Sequence, residues 1–146
     1  MSVKWTEDQQ RVIDLRDRNI LVSAAAGSGK TAVLVERIIT MLTSGGHPID
    51  VDRLLIVTFT EAAASEMKER IRGAIEKKLM ERPDDEHLKQ QATLIHNAYI
   101  TTIHSFCLSV VRDHFPVIGI DPSFRIGEEG ELKLLRQDVL REMLEE

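Results

Sequence analysis

The stretch AAAGSGKT, Ala24 to Thr31, has the residue types and spacing of a phosphate-binding loop. The usual form begins with Gly and closes on Gly-Lys-Ser/Thr. Here Ala24 takes the first place, and Gly27, Gly29, Lys30 and Thr31 hold the others. Glycines let the backbone turn tightly enough for successive N–H groups to face a β-phosphate, and the following helix adds the positive end of its dipole. Ala24, Ala25, Ala26 and Ser28 supply the rest of that backbone cradle. Lys30 reaches the β and γ oxygens and is the residue expected to act in catalysis. Thr31 offers its hydroxyl to Mg²⁺, which bridges those oxygens and offsets the charge that grows on phosphoryl transfer. ATP with Mg²⁺ is the expected ligand.

A hydrolysis site also needs an apolar strand ending in Asp. The one candidate, VIGID at Val117 to Asp121, is interrupted by Gly119 and flanked by Pro116 and Pro122, which suits a turn better than a central strand. Either the metal-holding carboxylates lie outside this stretch of sequence or the chain only binds nucleotide.

The elements around the loop alternate as in an α/β domain. Asn19 to Ser23 carries the apolar run Ile20, Leu21, Val22 and is expected to be a buried strand. From Lys30 the spacing of Leu34, Ile38, Met41 and Leu42 predicts a helix that ends at Gly45 and Gly46. Leu54 to Val57 is a second apolar run, with Thr58, Phe59 and Thr60 leading out of it. Thr60 can cap a long helix in which Ala63, Met67, Ile71, Ile75 and Leu79 recur every four residues and Glu66 precedes Arg70 by four. Further helices are expected over Glu86 to Asn97 and Ile103 to Phe115, with a β-rich run at Tyr99 to Thr102 between them. The last segment, ELKLLRQDVLREMLEE, has Leu132, Leu135, Val139 and Met143 on one helical face and no stop signal after it, so the chain is expected to be part of something longer.

Composition sets the outer bounds. At 146 residues, 42% hydrophobic and 29% charged, the chain suits one soluble domain, and no apolar run nears the roughly 18 residues a membrane span requires. A single Cys107 excludes an internal disulfide, and MSVKWTEDQQ lacks the apolar core of a secretory signal, so a cytoplasmic location with no membrane partner is expected. The net charge of -5 argues against a globally basic nucleic-acid binder but leaves room for a local strand-binding groove.

Three more segments have bland readings when taken singly. WTEDQQRVI at Trp5 to Ile13 reads as a capped helix, TFTEAAASEMKERI at Thr58 to Ile71 as an amphipathic helix, and TTIHSFC at Thr101 to Cys107 as part of a core helix with a satisfied histidine. Phe59, just past a strand, reads by itself as core. In this order and spacing, however, the segments and the Ala-initiated loop resemble the early motifs of the UvrD, Rep and PcrA group of superfamily-one DNA helicases. Longer stretches, GKTAVLVERI, DVDRLLIVTFTEAAASEMKERI, TIHSFC and DPSFRIGEEGELKLL, look most like the AddA family of helicase and nuclease subunits, relatives of RecB.

That resemblance implies a RecA-like P-loop NTPase fold with a parallel sheet, of which residues 1–146 would form the N-terminal part of the first motor domain. It implies ATP-driven 3′ to 5′ movement on DNA, an exonuclease domain elsewhere in a longer chain, an AddB-like partner protein, single- and double-stranded DNA as substrates, and a role in recombinational repair of double-strand breaks. The position matching the family's adenine-recognising Gln is Gln9. The segments matching its single-strand contacts place Phe59 against a base and Thr58, Thr60, Thr102, His104 and Ser105 near phosphates. Many members have Arg after the loop Thr, where it packs on adenine; this chain has Ala32. Two other functions fit the same residues: a stand-alone UvrD-type repair helicase, or a nucleotide- and DNA-binding module without catalysis. A chain holding only these motifs is expected not to turn over ATP by itself.

Overall fold

In a computed structural model, residues 4–25, 27–43 and 48–145 are described. Ala26, Gly45 and Gly46 lie outside them. The chain divides into two compact units, Met1–Cys107 and Leu108–Glu146.

The first unit opens with α1 (Glu7–Asp14), whose N-cap Thr6 and third residue Gln9 form a reciprocal capping box. Helix α2 (Lys30–Thr43) starts directly at the loop lysine. A single turn of 3-10 helix at Val51–Arg53 leads to strand β1 (Leu55–Thr58). Helix α3 (Glu61–Glu81) is capped by Thr60, whose hydroxyl accepts from Ala63 N at 3.1 Å. It carries the expected Glu66–Arg70 pair at 2.6 Å on its wet face and stops before Pro83. Helix α4 (Glu86–Leu94) follows, three residues shorter than its sequence pattern, and strand β2 (Tyr99–Thr102) lies where the β-branched run put it.

β1 and β2 pair in parallel, from Leu55 opposite Tyr99 to Thr58 opposite Thr102. α3 and α4 form the crossover between them, so this is a βαβ unit. The core lies between α2, α3, α4 and one face of the strands. Leu42, Ile71, Ile75 and Ile95 are fully buried there, each contributing about 1.5–3 kcal/mol. Gln91 is buried with them: its Oε1 accepts from Val51 N at 2.7 Å and its Nε2 donates to Asp50 Oδ1 at 2.6 Å. The pair fixes the approach to β1.

Three expectations need correction. Asn19 to Ser23 is not a strand: Leu21 is 97% exposed, and the only sheet among the described residues is the two-stranded one. A strand exists only where a neighbour takes up its backbone hydrogen bonds, and no described strand lies beside this run. The inner face of α2 is Val33, Ile38, Ile39 and Leu42, while Leu34 turns outward; on α3, Ala64 replaces Ala63 on the buried side. Finally, Pro116 does not close a helix at Phe115. Helix α5 (Ile103–Asp113) ends earlier, and Pro116 sits inside a separate turn, α6 (Phe115–Ile118), where the ring's fixed φ is tolerated at a helix start.

In the second unit Gly119 closes α6 with φ +68, and helix α7 (Glu129–Glu145) carries the amphipathic pattern expected of it. VIGID is a helical turn followed by a bend, as its Gly and Pro content indicates. The Asp121 carboxylate is taken up by Ser123, accepting from the backbone N at 2.7 Å. No helix is long and apolar enough to cross a membrane, among the described residues.

Candidate nucleotide and single-strand sites

The loop between Ala24 and Lys30 is shaped by two glycines in the left-handed region, Gly27 at φ +78 and Gly29 at φ +80, a conformation that strains any residue with a Cβ. Ser28 N donates to Ala25 O at 3.3 Å across the turn, and Val33 N to Gly29 O at 3.0 Å begins the helix. Lys30 folds its side chain back over the loop, donating to Ala24 O at 2.8 Å and Ala25 O at 2.7 Å. An ammonium has three N–H bonds, so one remains for a ligand oxygen. Thr31 follows on the exposed start of α2.

Helix α1 is fastened to this loop and to α2 at both ends. Near its start, Gln9 Nε2 donates to Ser28 O at 3.2 Å while Gln9 Oε1 accepts from Thr6 N at 2.9 Å. At its other end, the Arg37 guanidinium on α2 donates to Val12 O, and Arg16 donates to Ile13 O and Leu15 O, giving cations to the helix's negative end. Burial, and secondarily the charge of Arg16, pull the Arg37 guanidinium below its ordinary pKa.

The result is a cleft of about 430 Å³ between α1, the loop and α2. Gln9, Ser28 and Lys30 form its polar side, and Val12, Val22 and Leu34 its apolar side. Apolar walls with a few convergent polar groups are what a base and its phosphates require. The outward turn of Leu34 has its explanation here, and the sequence held the signal, because Leu34 lies four residues after Lys30 on the same helix face. Val12 and Arg37 carried no such signal.

The second group of candidate residues meets at one sheet edge. Thr58 and Thr102 are register partners at the ends of adjacent parallel strands, and Phe59, Thr60, His104 and Ser105 follow directly from them. Phe59 is 99% exposed and His104 is exposed, so neither is the core residue its local pattern suggests, and α5 buries none of its residues. Tyr99 meets Phe106 edge-to-face at 6.2 Å, which holds the first turns of α5 against β2.

The hydroxyls at this edge are mostly engaged. Thr58 donates to Thr60 O at 3.0 Å. Thr102 and Ser105 both donate to Glu61 Oε1, at 2.9 and 2.8 Å, and these bonds, that of Ser105 first, hold the Glu61 carboxyl below the usual carboxylate range. Thr60 uses its oxygen as a cap and keeps its own O–H hydrogen. No group of three or more His, Cys, Asp or Glu side chains is placed to hold a metal among the described residues.

Residues 5–146 match the family model described as UvrD/REP helicase N-terminal domain. The chain is 67% identical over 142 residues to the AddA protein of Lachnoclostridium phytofermentans, an ATP-dependent helicase/nuclease subunit, covering 97% of this chain and 10% of that protein. It is 57% identical over 145 residues to the protein of the same name from Clostridioides difficile, covering 99% and 11%. For the one from Exiguobacterium sibiricum the identity is 57% over 145 residues, covering 99% and 12%. The chain spans about a tenth of the length of the curated relatives it matches.

Proposed function

Since this chain belongs to the UvrD/REP helicase N-terminal domain family, we propose that it forms the opening part of the first motor domain, RecA-like in fold, of an ATP-driven helicase and nuclease protein of the AddA type. Its relatives are named as ATP-dependent helicase/nuclease subunits, which supports a helicase role in a much longer protein. In that protein, movement runs 3′ to 5′ on single-stranded DNA, an AddB-like protein is the partner, and the work is repair of double-strand breaks in the cytoplasm.

The observation that carries the reading is the cleft closed by Gln9, Ser28 and Lys30 beside the glycine turn. The loop backbone from Ala24 to Gly29 cradles the phosphates, and the third N–H of Lys30 reaches their outer oxygens. Thr31 and the phosphates together hold Mg²⁺, which keeps most of its other ligands as water. The one hydroxyl from this chain fits an ion that arrives with the nucleotide, and that ion supplies charge neutralisation at the phosphates. Adenine lies toward Val12, Val22 and Leu34. Gln9 has one N–H and one lone pair engaged within the protein, and it keeps one of each for adenine's N6 amino group and N7.

At the other site Phe59 stacks on a base, and Thr60 and His104 donate to phosphates. Two sites on one βαβ framework let nucleotide state act on strand grip. In the intact protein, phosphate release should rise when single-stranded DNA is added, and Lys30→Ala should abolish it. A rate indifferent to DNA contradicts the motor reading. The 146-residue chain by itself should be silent in the same assay.

A further inference from the structure

The strand-binding edge is assembled from two segments over forty residues apart, and one side chain joins them. Glu61 is the first residue of α3, where a carboxylate is favoured by the helix dipole. Its Oε1 accepts from Thr102 Oγ1 across 41 residues and from Ser105 Oγ across 44. Thr102 Oγ1 in turn accepts from Ser105 N at 3.2 Å, the geometry of an N-cap on α5. One carboxylate oxygen therefore ties the first turn of α3 to the first turn of α5. Phe59 lies two residues before Glu61, and His104 lies between the two residues that bind it.

We propose that Glu61 is a positioning residue for single-strand binding, holding Phe59 and His104 at a fixed spacing along one DNA strand. Thr102 and Ser105 serve as its anchors, which leaves His104 and the Thr60 hydroxyl to meet phosphate. The proposal rests on the reading of this edge as the DNA contact. A carboxylate at a phosphate site would otherwise oppose binding, and two hydroxyl donors on one oxygen spread its charge into the protein.

Affinity for a fluorescent oligothymidine, measured by anisotropy in the intact protein alongside ATP affinity and melting temperature, tests it. Glu61→Ala should weaken DNA binding roughly three- to fivefold, the low end for coupled neighbouring contacts. Glu61→Gln should restore it to within about twofold, because an amide oxygen still accepts from both hydroxyls. Ser105→Ala, which removes one bond and leaves the carboxylate, should give a smaller loss in the same direction. ATP affinity and melting temperature should stay at wild-type values in all three. Tighter DNA binding by Glu61→Ala would overturn the proposal, since the carboxylate would then be repelling phosphate, and so would an unchanged affinity. Phe59→Ala separates the two failures: if it weakens binding while Glu61→Ala does not, the positioning role alone falls, and if neither matters the DNA reading of this edge falls with it.

Discussion

Gln9 donates its side-chain amide to the carbonyl of Ser28, 19 residues later, and with the same side chain closes the capping box on Thr6. Capping and loop tethering can be separated by substitution. Gln9→Glu keeps the acceptor for Thr6 N but has no N–H for Ser28 or for adenine, whereas Gln9→Ala loses all three. Guanine presents O6 where adenine presents its amino group, so the free lone pair of Gln9 would face another acceptor. Both variants should therefore lose preference for ATP over GTP, and the alanine variant should also lose about 1 kcal/mol of stability through the cap. GTP competition against bound ATP measures the first effect and urea unfolding the second. Preference intact in both variants would reduce Gln9 to a structural residue.

Phe59 offers a cleaner separation, since its side chain is 99% exposed and supports no core. Phe59→Ala should leave the melting temperature unchanged and weaken single-strand affinity by about tenfold, within the roughly 1–3 kcal/mol that base stacking contributes. His104→Ala should weaken binding to every base sequence alike, as a phosphate contact does. An early-melting Phe59→Ala would contradict the exposed placement.

Gln91 is the opposite case, with a buried amide that satisfies Val51 N. Gln91→Leu should destabilise the protein by about 1–3 kcal/mol, because the Val51 N–H is left buried without a partner. Chemical unfolding should report the loss. A neutral result would mean that water reaches the site.

Acid should destabilise this chain by a definite route. Glu61 is held below the ordinary Glu value of 4.5 by Ser105 and Thr102, Glu81 by Lys78, and Glu131 by Arg125 and the backbone N–H of Glu128. Asp121 is held below 3.8 by Ser123. In each case the folded value is depressed, so the folded chain binds fewer protons than the unfolded one in the acid range. The stability these groups contribute is complete above the unfolded values and is lost as pH falls through the folded ones. Urea midpoints should hold from neutral pH down to about the ordinary carboxylate range and then decline. For Glu61→Gln the decline should be shallower, and an identical slope would remove Glu61 from the set.

Local sequence was a good guide where local forces decide. β2 falls on the β-branched run Tyr99–Thr102, and α3 runs from a Thr cap to a proline stop with its apolar residues four apart. The glycine loop was legible because only Gly readily accepts the left-handed backbone found at Gly27 and Gly29. What escaped depends on distant neighbours. Asn19 to Ser23 has strand composition but no paired strand among the described residues, and the inner face of α2 is chosen by its packing partners, which admit Ile39 and leave Leu34 to the cleft. The Glu61 bonds span 41 and 44 residues, and the spacing of Thr102 and Ser105 suggested phosphate as readily as a carboxylate.

The nucleotide site stands or falls with Lys30, the one side chain proposed to grip the outer phosphates. Lys30 lies over Ala24 and Ala25 with one N–H to spare, and a charge-assisted bond of this kind contributes about 1.5–3 kcal/mol. Calorimetric titration of the intact protein with a non-hydrolysable ATP analogue and Mg²⁺ is the direct test. Lys30→Ala should weaken binding by roughly ten- to a hundredfold with the melting temperature of the free protein unchanged. An affinity equal to that of the unsubstituted protein would contradict the assignment.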